Sequence, residues 1–91
     1  MEKEKLPFKQ VSIGNTKLRL FSENVDDSEL KWHQDDEDRI VTILHETNWM
    51  FQFDNKLPEP LTPDKKIFIP KDEWHRLIKG DGDLEISVEL L

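Results

Sequence analysis

The apolar residues of this chain recur at every second position, and no segment carries the three-and-four spacing of a helical stripe. In "FKQVSIGNTKLRLF" (8–21), Val11 and Ile13 lie on one side of an extended arm, and Leu18 and Leu20 on one side of the next. Between the arms stands Gly14-Asn15, a dipeptide suited to a two-residue hairpin. "SENVDDSE" (22–29) reads as a polar connector, and "LKWH" (30–33) as the start of a strand that an acidic cluster breaks. "RIVTILH" (39–45) resumes it, with Val41 and Ile43 on one face and Ile40, Thr42 and Leu44 on the other. "NWMFQFD" (48–54) aligns Trp49, Phe51 and Phe53 as core or pocket wall, joined to the preceding strand by an expected hairpin at Glu46-Thr47. Pro58, Pro60 and Pro63 mark a loop, because proline cannot donate to a central ladder. "KKIFIP" (65–70), "WHRLIKG" (74–80) and "LEISVELL" (84–91) complete the set, and "GDGD" is expected to join the last two as a hairpin. Seven or eight short strands at intervals of about ten residues predict an all-β chain, a small antiparallel sandwich or barrel.

At 91 residues the chain suits one domain. The first fifteen residues are expected as a strand or arm (1–15) and the rest (16–91) as the barrel. Such a domain buries only about 60–65% of the surface its unfolded chain exposes. Hydrophobic residues are 35% and charged residues 36%, so the core is thin and a homodimer would supplement it. The net charge of −7 argues against nucleic acid and anionic membrane surfaces, since a phosphate backbone needs a basic stripe. No apolar run approaches the roughly 20 residues of a membrane span, and "MEKEKLPFKQ" has the character of neither signal peptide nor anchor. A cytoplasmic protein is expected. With no cysteine in the sequence, histidine and the carboxylates are the strong metal ligands available.

Residues two apart on a strand share a side, so His33 and Asp35 in "KWHQDDEDRIV" (31–41) project together, about 6–7 Å apart at their backbones. A third ligand is at hand in His75 of "IPKDEWHRL". Two histidines and a carboxylate with open positions are the facial set of non-haem iron(II) oxygenases, and the same set can hold catalytic zinc. Asp36, Glu37 and Asp38 are expected to form a solvated turn, and His45 an exposed strand end. Trp32 and Trp74, each beside a histidine, should face away from it. The "DGD" of 81–83 lacks the further spaced ligands of a calcium loop. Ser12, Ser22, Ser28 and Ser87 lie in no nucleophile elbow, and the three glycines form no phosphate cradle.

"IPKDEWH" (69–75) resembles the second motif of the cupins, P-x-G-x-x-H, with Pro70 and His75 in place and Asp72 where the glycine stands. "WHQDDEDRIVTILHE" (32–46) resembles the first, in which H-x-H, glutamate and glycine follow at set intervals. His33 matches the first histidine; Asp35 falls on the second, Arg39 on the glutamate and Glu46 on the glycine. The resemblance covers roughly residues 16–90 and implies a small antiparallel jelly-roll β-barrel. It implies a pocket holding a divalent Fe, Mn, Zn or Ni ion on His33, Asp35 and His75, with Arg39, Phe51 and Phe53 contacting a small-molecule ligand such as a carboxylate. An oxygenase or isomerase dependent on that metal is the activity this suggests, with no catalytic base assigned. Arg39 cannot ligate a metal and keeps its proton. It can oppose a dication, pair with Asp35 in a bidentate fork, or face an acidic substrate. The alternative is a barrel that has lost its metal and serves as a ligand-binding or interaction module.

Overall fold

A computed structural model of the chain describes residues 8–22 and 30–91; the connector read at 22–29 and the first seven residues therefore lie largely outside the description. The Gly14-Asn15 hairpin forms as the sequence indicates. Strand β1 (Phe8–Ile13) returns as β2 (Thr16–Phe21) with Ile13 opposite Thr16, and Gly14 takes φ +60°, as the first position of a II′ turn requires. The remaining strands are β3 (Arg39–Ile43), β4 (Met50–Phe53), β5 (Glu59–Pro60), β6 (Lys66–Ile69), β7 (His75–Ile78) and β8 (Leu84–Leu90). All pairings are antiparallel. They build a five-stranded sheet in the order β1-β2-β8-β3-β6 and a three-stranded sheet in the order β5-β4-β7. Pro60 sits in the edge strand β5, where its missing donor costs no ladder bond. Among the described residues no helix is long and apolar enough to cross a membrane.

The core lies between the two sheets. Strand β8 shows the alternation most cleanly, with Leu84, Ile86 and Val88 buried and Glu85, Ser87 and Glu89 on the other face. Ile43, Ile67 and Ile69 join them from the large sheet, and Trp49, Phe51 and Leu61 close the core from the small one. In the first hairpin the apolar face expected from Val11, Ile13 and Leu18 points to solvent. The inward face of β2 is instead the one carrying buried Phe21, and with it Arg19.

Two expected hairpins do not form. β3 pairs with β6 and β8, while β4 pairs with β5 and β7, so the Glu46-Thr47 turn crosses from one sheet to the other. The "GDGD" segment does the same between β7 and β8. The physical reason is that these two corners bind each other. Asp81 N donates to Asn48 Oδ1 at 2.7 Å, Asn48 Nδ2 donates to Asp81 Oδ2 at 3.2 Å, and Trp49 Nε1 donates to Gly82 O at 2.9 Å. A Cβ at Gly80 would meet Asn48 Oδ1 and lie 2.7 Å from the Asn48 carbonyl carbon, so only glycine permits the approach. The "LKWH" strand is likewise reduced to a single bridge, His33 to His75.

Candidate metal centre

Five hydrogen bonds, three of them between backbone groups, bring residues 33–38 to the entrance of β7. His33 and His75 exchange both backbone hydrogen bonds, each 3.0 Å. Asp72 N donates to Asp35 O at 2.7 Å, and Gln34 Nε2 donates to Asp72 O at 2.7 Å. Lys71 N donates to Asp38 Oδ1 at 2.8 Å. Asp38 is therefore a structural cap and not part of a purely solvated turn. Residue 72, where the resemblance would have a glycine, takes φ +65°, a left-handed conformation that aspartate tolerates at a cost.

These ties converge the three residues expected as ligands. One donor atom from each of His33, Asp35 and His75 lies within 4.8 Å of the others. The two rings meet edge-on with centroids 4.3 Å apart, and His75 is 4% exposed. Each Nδ1 faces a backbone carbonyl two residues earlier: Lys31 O for His33 and Glu73 O for His75, both at 2.8 Å. A carbonyl can only accept, so each Nδ1 carries the hydrogen and each Nε2 presents a lone pair when the ring is neutral. Metal-binding histidines are commonly oriented by such an Nδ1–H bond.

His75 Nε2 lies 3.2 Å from Asp35 Oδ2. That separation fits an N–H···O bond. It also fits a shared ion: two donors about 2.1 Å from one ion, at tetrahedral or octahedral angles, stand about 3.0–3.4 Å apart. Burial, the largest influence, raises the Asp35 carboxyl. The His75 hydrogen bond and the charges of Arg39, His75 and His33 together outweigh it and hold the group below its ordinary value.

Arg39 does not form the fork with Asp35. Its Nη2 donates to Glu37 Oε1 at 3.2 Å, and its Nε stands 3.6 Å from Asp35 Oδ2. That Nε is buried and finds no hydrogen-bond acceptor among the described residues. Arg39 and Asp35 both line a cavity of about 120 Å³, whose lining also includes His33, His75, Phe21, Phe51, Leu77 and Val88. Of the two aromatic residues expected to contact ligand, Phe51 lines the cavity; Phe53 instead packs edge-on against Phe51, centroids 4.8 Å apart. Trp32 and Trp74 are exposed on the outside, Trp32 beneath the Arg76 guanidinium at 4.6 Å. His45 is an exposed partner of Glu85 at 3.1 Å.

Arg19 also lines the cavity, and reading the sequence by its leucines missed it. The signal was Phe21, the largest side chain in "TKLRLF", which marks the inward parity and takes Arg19 with it. Burial and then the Arg39 charge lower Arg19 from its ordinary value, partly offset by Asp35.

No family model matches the chain, and no curated protein matches it. Solved structures do. A cupin 2 conserved barrel domain protein from Leptotrichia buccalis aligns with a TM-score of 0.70 at 18% identity, covering 100% of this chain and 43% of that one. The DMSP lyase DddQ from Ruegeria pomeroyi DSS-3 aligns at 0.69 and 19%, covering 82% and 36%. The iron(II) protein HppE aligns at 0.62 and 15%, covering 84% and 41%. At these identities the likeness is one of fold: an all-β antiparallel barrel of the cupin type. The chain spans less than half the length of each of these three proteins.

Proposed function

We propose that the chain is a small-molecule-binding barrel that holds a divalent transition metal through His33 Nε2, an Asp35 oxygen and His75 Nε2, and that it acts on its ligand as an oxygenase or isomerase would. The observation that carries this reading is the shared posture of the two rings. Both Nδ1 atoms are committed to backbone carbonyls, His75 Nε2 stands 3.2 Å from Asp35 Oδ2, and one donor atom from each of the three residues lies within 4.8 Å of the others. Fold neighbours lend support, one of them described as an iron(II) protein.

A bound divalent ion would supply Lewis acidity toward an oxygen-donor ligand, or redox chemistry if it were iron. The chain's own residues do the rest. Asp35 contributes the one negative charge of the ligand set. His75, buried at the start of β7, fixes the depth of the site. Phe21, Phe51 and Leu77 exclude water from the ligand's apolar side, and Arg39 balances its negative charge. Self-association as a homodimer belongs to the same reading, because Val11, Ile13 and Phe68 leave large apolar side chains on the outer face.

Elemental analysis of untagged protein purified without chelator tests the metal. The expected result is near-stoichiometric iron, manganese, zinc or nickel, abolished by His75→Ala. Protein that carries no transition metal and takes none up on titration removes the reading. The second reading, a metal-free ligand-binding barrel, is favoured by the 3.6 Å approach of Arg39 to Asp35; under it His75→Ala alters stability alone.

A further inference from the structure

The cavity beside the ligand set stops inside the core, and the strand registers give its depth. On the inner face of the large sheet Arg39 stands opposite Leu90 and Ile69, Val41 opposite Val88, Ile43 opposite Ile86, and Phe21 opposite Leu84. Each pair along β8 lies two residues further from Arg39. On the small sheet Phe53 stands opposite His75, Phe51 opposite Leu77 and Met50 opposite Ile78, which leaves Trp49 deeper still. Ile43, Trp49, Leu61 and Leu84 are each at most 2% exposed, and none of the four lines the cavity. They form its packed floor.

The lining changes character along that depth. Arg39 and His75 stand at the first level, with Asp35 3.6 Å from one and 3.2 Å from the other. Below them come Val41, Val88, Phe51 and Leu77, and then Ile86. Phe21 lies against the floor, its ring 6.1 Å from that of Trp49. Arg19, opposite Ile86, is tied outward by its Nε–H to exposed Gln10 at 2.8 Å. The described lining holds no serine, threonine, asparagine, glutamine or tyrosine, so a hydroxyl carried to the level of Val88 would be buried without a neutral side-chain partner. The volume of about 120 Å³ is below the roughly 300–1,000 Å³ of typical ligand sites. It is also below the roughly 150 Å³ of an apolar cavity that binds benzene.

We propose that this cavity is a length gauge, whose ligand has an oxygen-donor head at His33, Asp35 and His75 and one aliphatic tail of about three to five carbons against Phe51, Leu77 and Val88. The inference names the ligand class of the site proposed above and rests on that reading for the head group alone. Each carbon buried along the tail strengthens binding about four-fold, until the tail meets the floor at Phe21 and Trp49. A longer tail lifts the head from its seat, and a hydroxylated one forfeits its hydration.

Calorimetric titration of the zinc-loaded full chain with straight-chain hydroxamates tests it, because the hydroxamate oxygens chelate zinc and only the tail varies. Affinity should rise about four-fold per carbon from acetohydroxamate to pentanohydroxamate and fall ten-fold or more by octanohydroxamate. A rise that continues through octanohydroxamate, or no dependence on length, overturns the gauge. So does 4-hydroxybutanohydroxamate binding as tightly as pentanohydroxamate, its isostere. Val88→Ile adds one methyl group to the wall and should move the optimum to a shorter tail. If that variant fails to fold, Val88→Ala decides by moving the optimum to a longer one, and an optimum that stays in place overturns the proposal. Chelator-dialysed protein separates the gauge from the metal seat. In its methyl NMR spectrum 1-butanol should shift Leu77 and Val88, and 1-octanol should not. That pattern in a chain that takes up no zinc sinks the metal seat alone; Leu77 and Val88 methyls unmoved by 1-butanol overturn the gauge whatever the metal does.

Discussion

Replacing Asp35 by asparagine keeps the side-chain volume and removes the one charge in the proposed ligand set. In metal-free protein the cost is modest. The carboxylate's contact with His75 and its approach to Arg39 are charge-assisted, worth about 1.5–3 kcal/mol. The new amide can donate to the His75 Nε2 lone pair, since Nδ1 keeps its hydrogen on Glu73 O, and so recovers part of this. A net loss of about 1 kcal/mol lowers Tm by about 4–8 °C in a domain of this size. In the presence of metal the difference is larger. At a free metal concentration of about 100 Kd the wild type gains about 2.7 kcal/mol, or about 11–22 °C. A variant binding about 100-fold more weakly gains about 0.4 kcal/mol at the same concentration, or about 2–3 °C. Differential scanning fluorimetry of both proteins, with chelator and with manganese, zinc or anaerobic iron(II), reads all four values. Equal metal-induced shifts in wild type and Asp35→Asn would refute the assignment of Asp35, and no shift in either would refute the seat.

The depressed Asp35 carboxyl gives an acid limb of known sign. Its contribution to stability is complete above the ordinary carboxyl value of about 4 and is lost as pH falls below that through the lower folded value. Between about pH 5 and pH 2 metal-free wild type should therefore lose more stability than Asp35→Asn, read from urea midpoints. Gly80→Ala should cost about 2–3 kcal/mol, because its Cβ meets Asn48 backbone as well as side chain; a Tm within 3 °C of wild type would contradict the corner packing. Asp72→Gly should raise stability by about 0.5–1 kcal/mol, since it relieves a left-handed residue while the backbone bonds to Asp35 and Gln34 remain; a lower Tm would show that the aspartate side chain contributes to the turn.

The strands were legible because each has a period of two and ends at a turn residue. Their partners were not. "GDGD" and "HETN" carry the same composition whether they close a hairpin or turn a corner between sheets, and what decides is a contact between the two loops, Asn48 with Asp81, that lies 33 residues apart in sequence. The convergence of His33, Asp35 and His75 was readable because two lie on one parity and the third closes a motif. The single bridge at His33 was not, since the acids that end the strand act through Asp38 on the backbone of Lys71. Arg19 escaped notice for a simpler reason. Leu18 and Leu20 look like the buried face of β2, and only the large Phe21 reveals that the sheet buries the opposite one.

Arg39, at the position where the resemblance would have a carboxylate ligand, does not by itself abolish the metal seat. A cation 3.6 Å from Asp35 weakens that ligand's hold on a dication, but Glu37 draws one end of the guanidinium away and leaves Asp35 outside any bidentate pair. A dication held by Asp35 would stand close to the Arg39 guanidinium, and a ligand with a negative charge would lower the cost of that approach. Metal and such a ligand would then strengthen each other's binding by the same factor, as linkage requires. On this view a metal-bearing barrel and a metal-free one are two ends of a single equilibrium, set by whether an anionic ligand occupies the cavity.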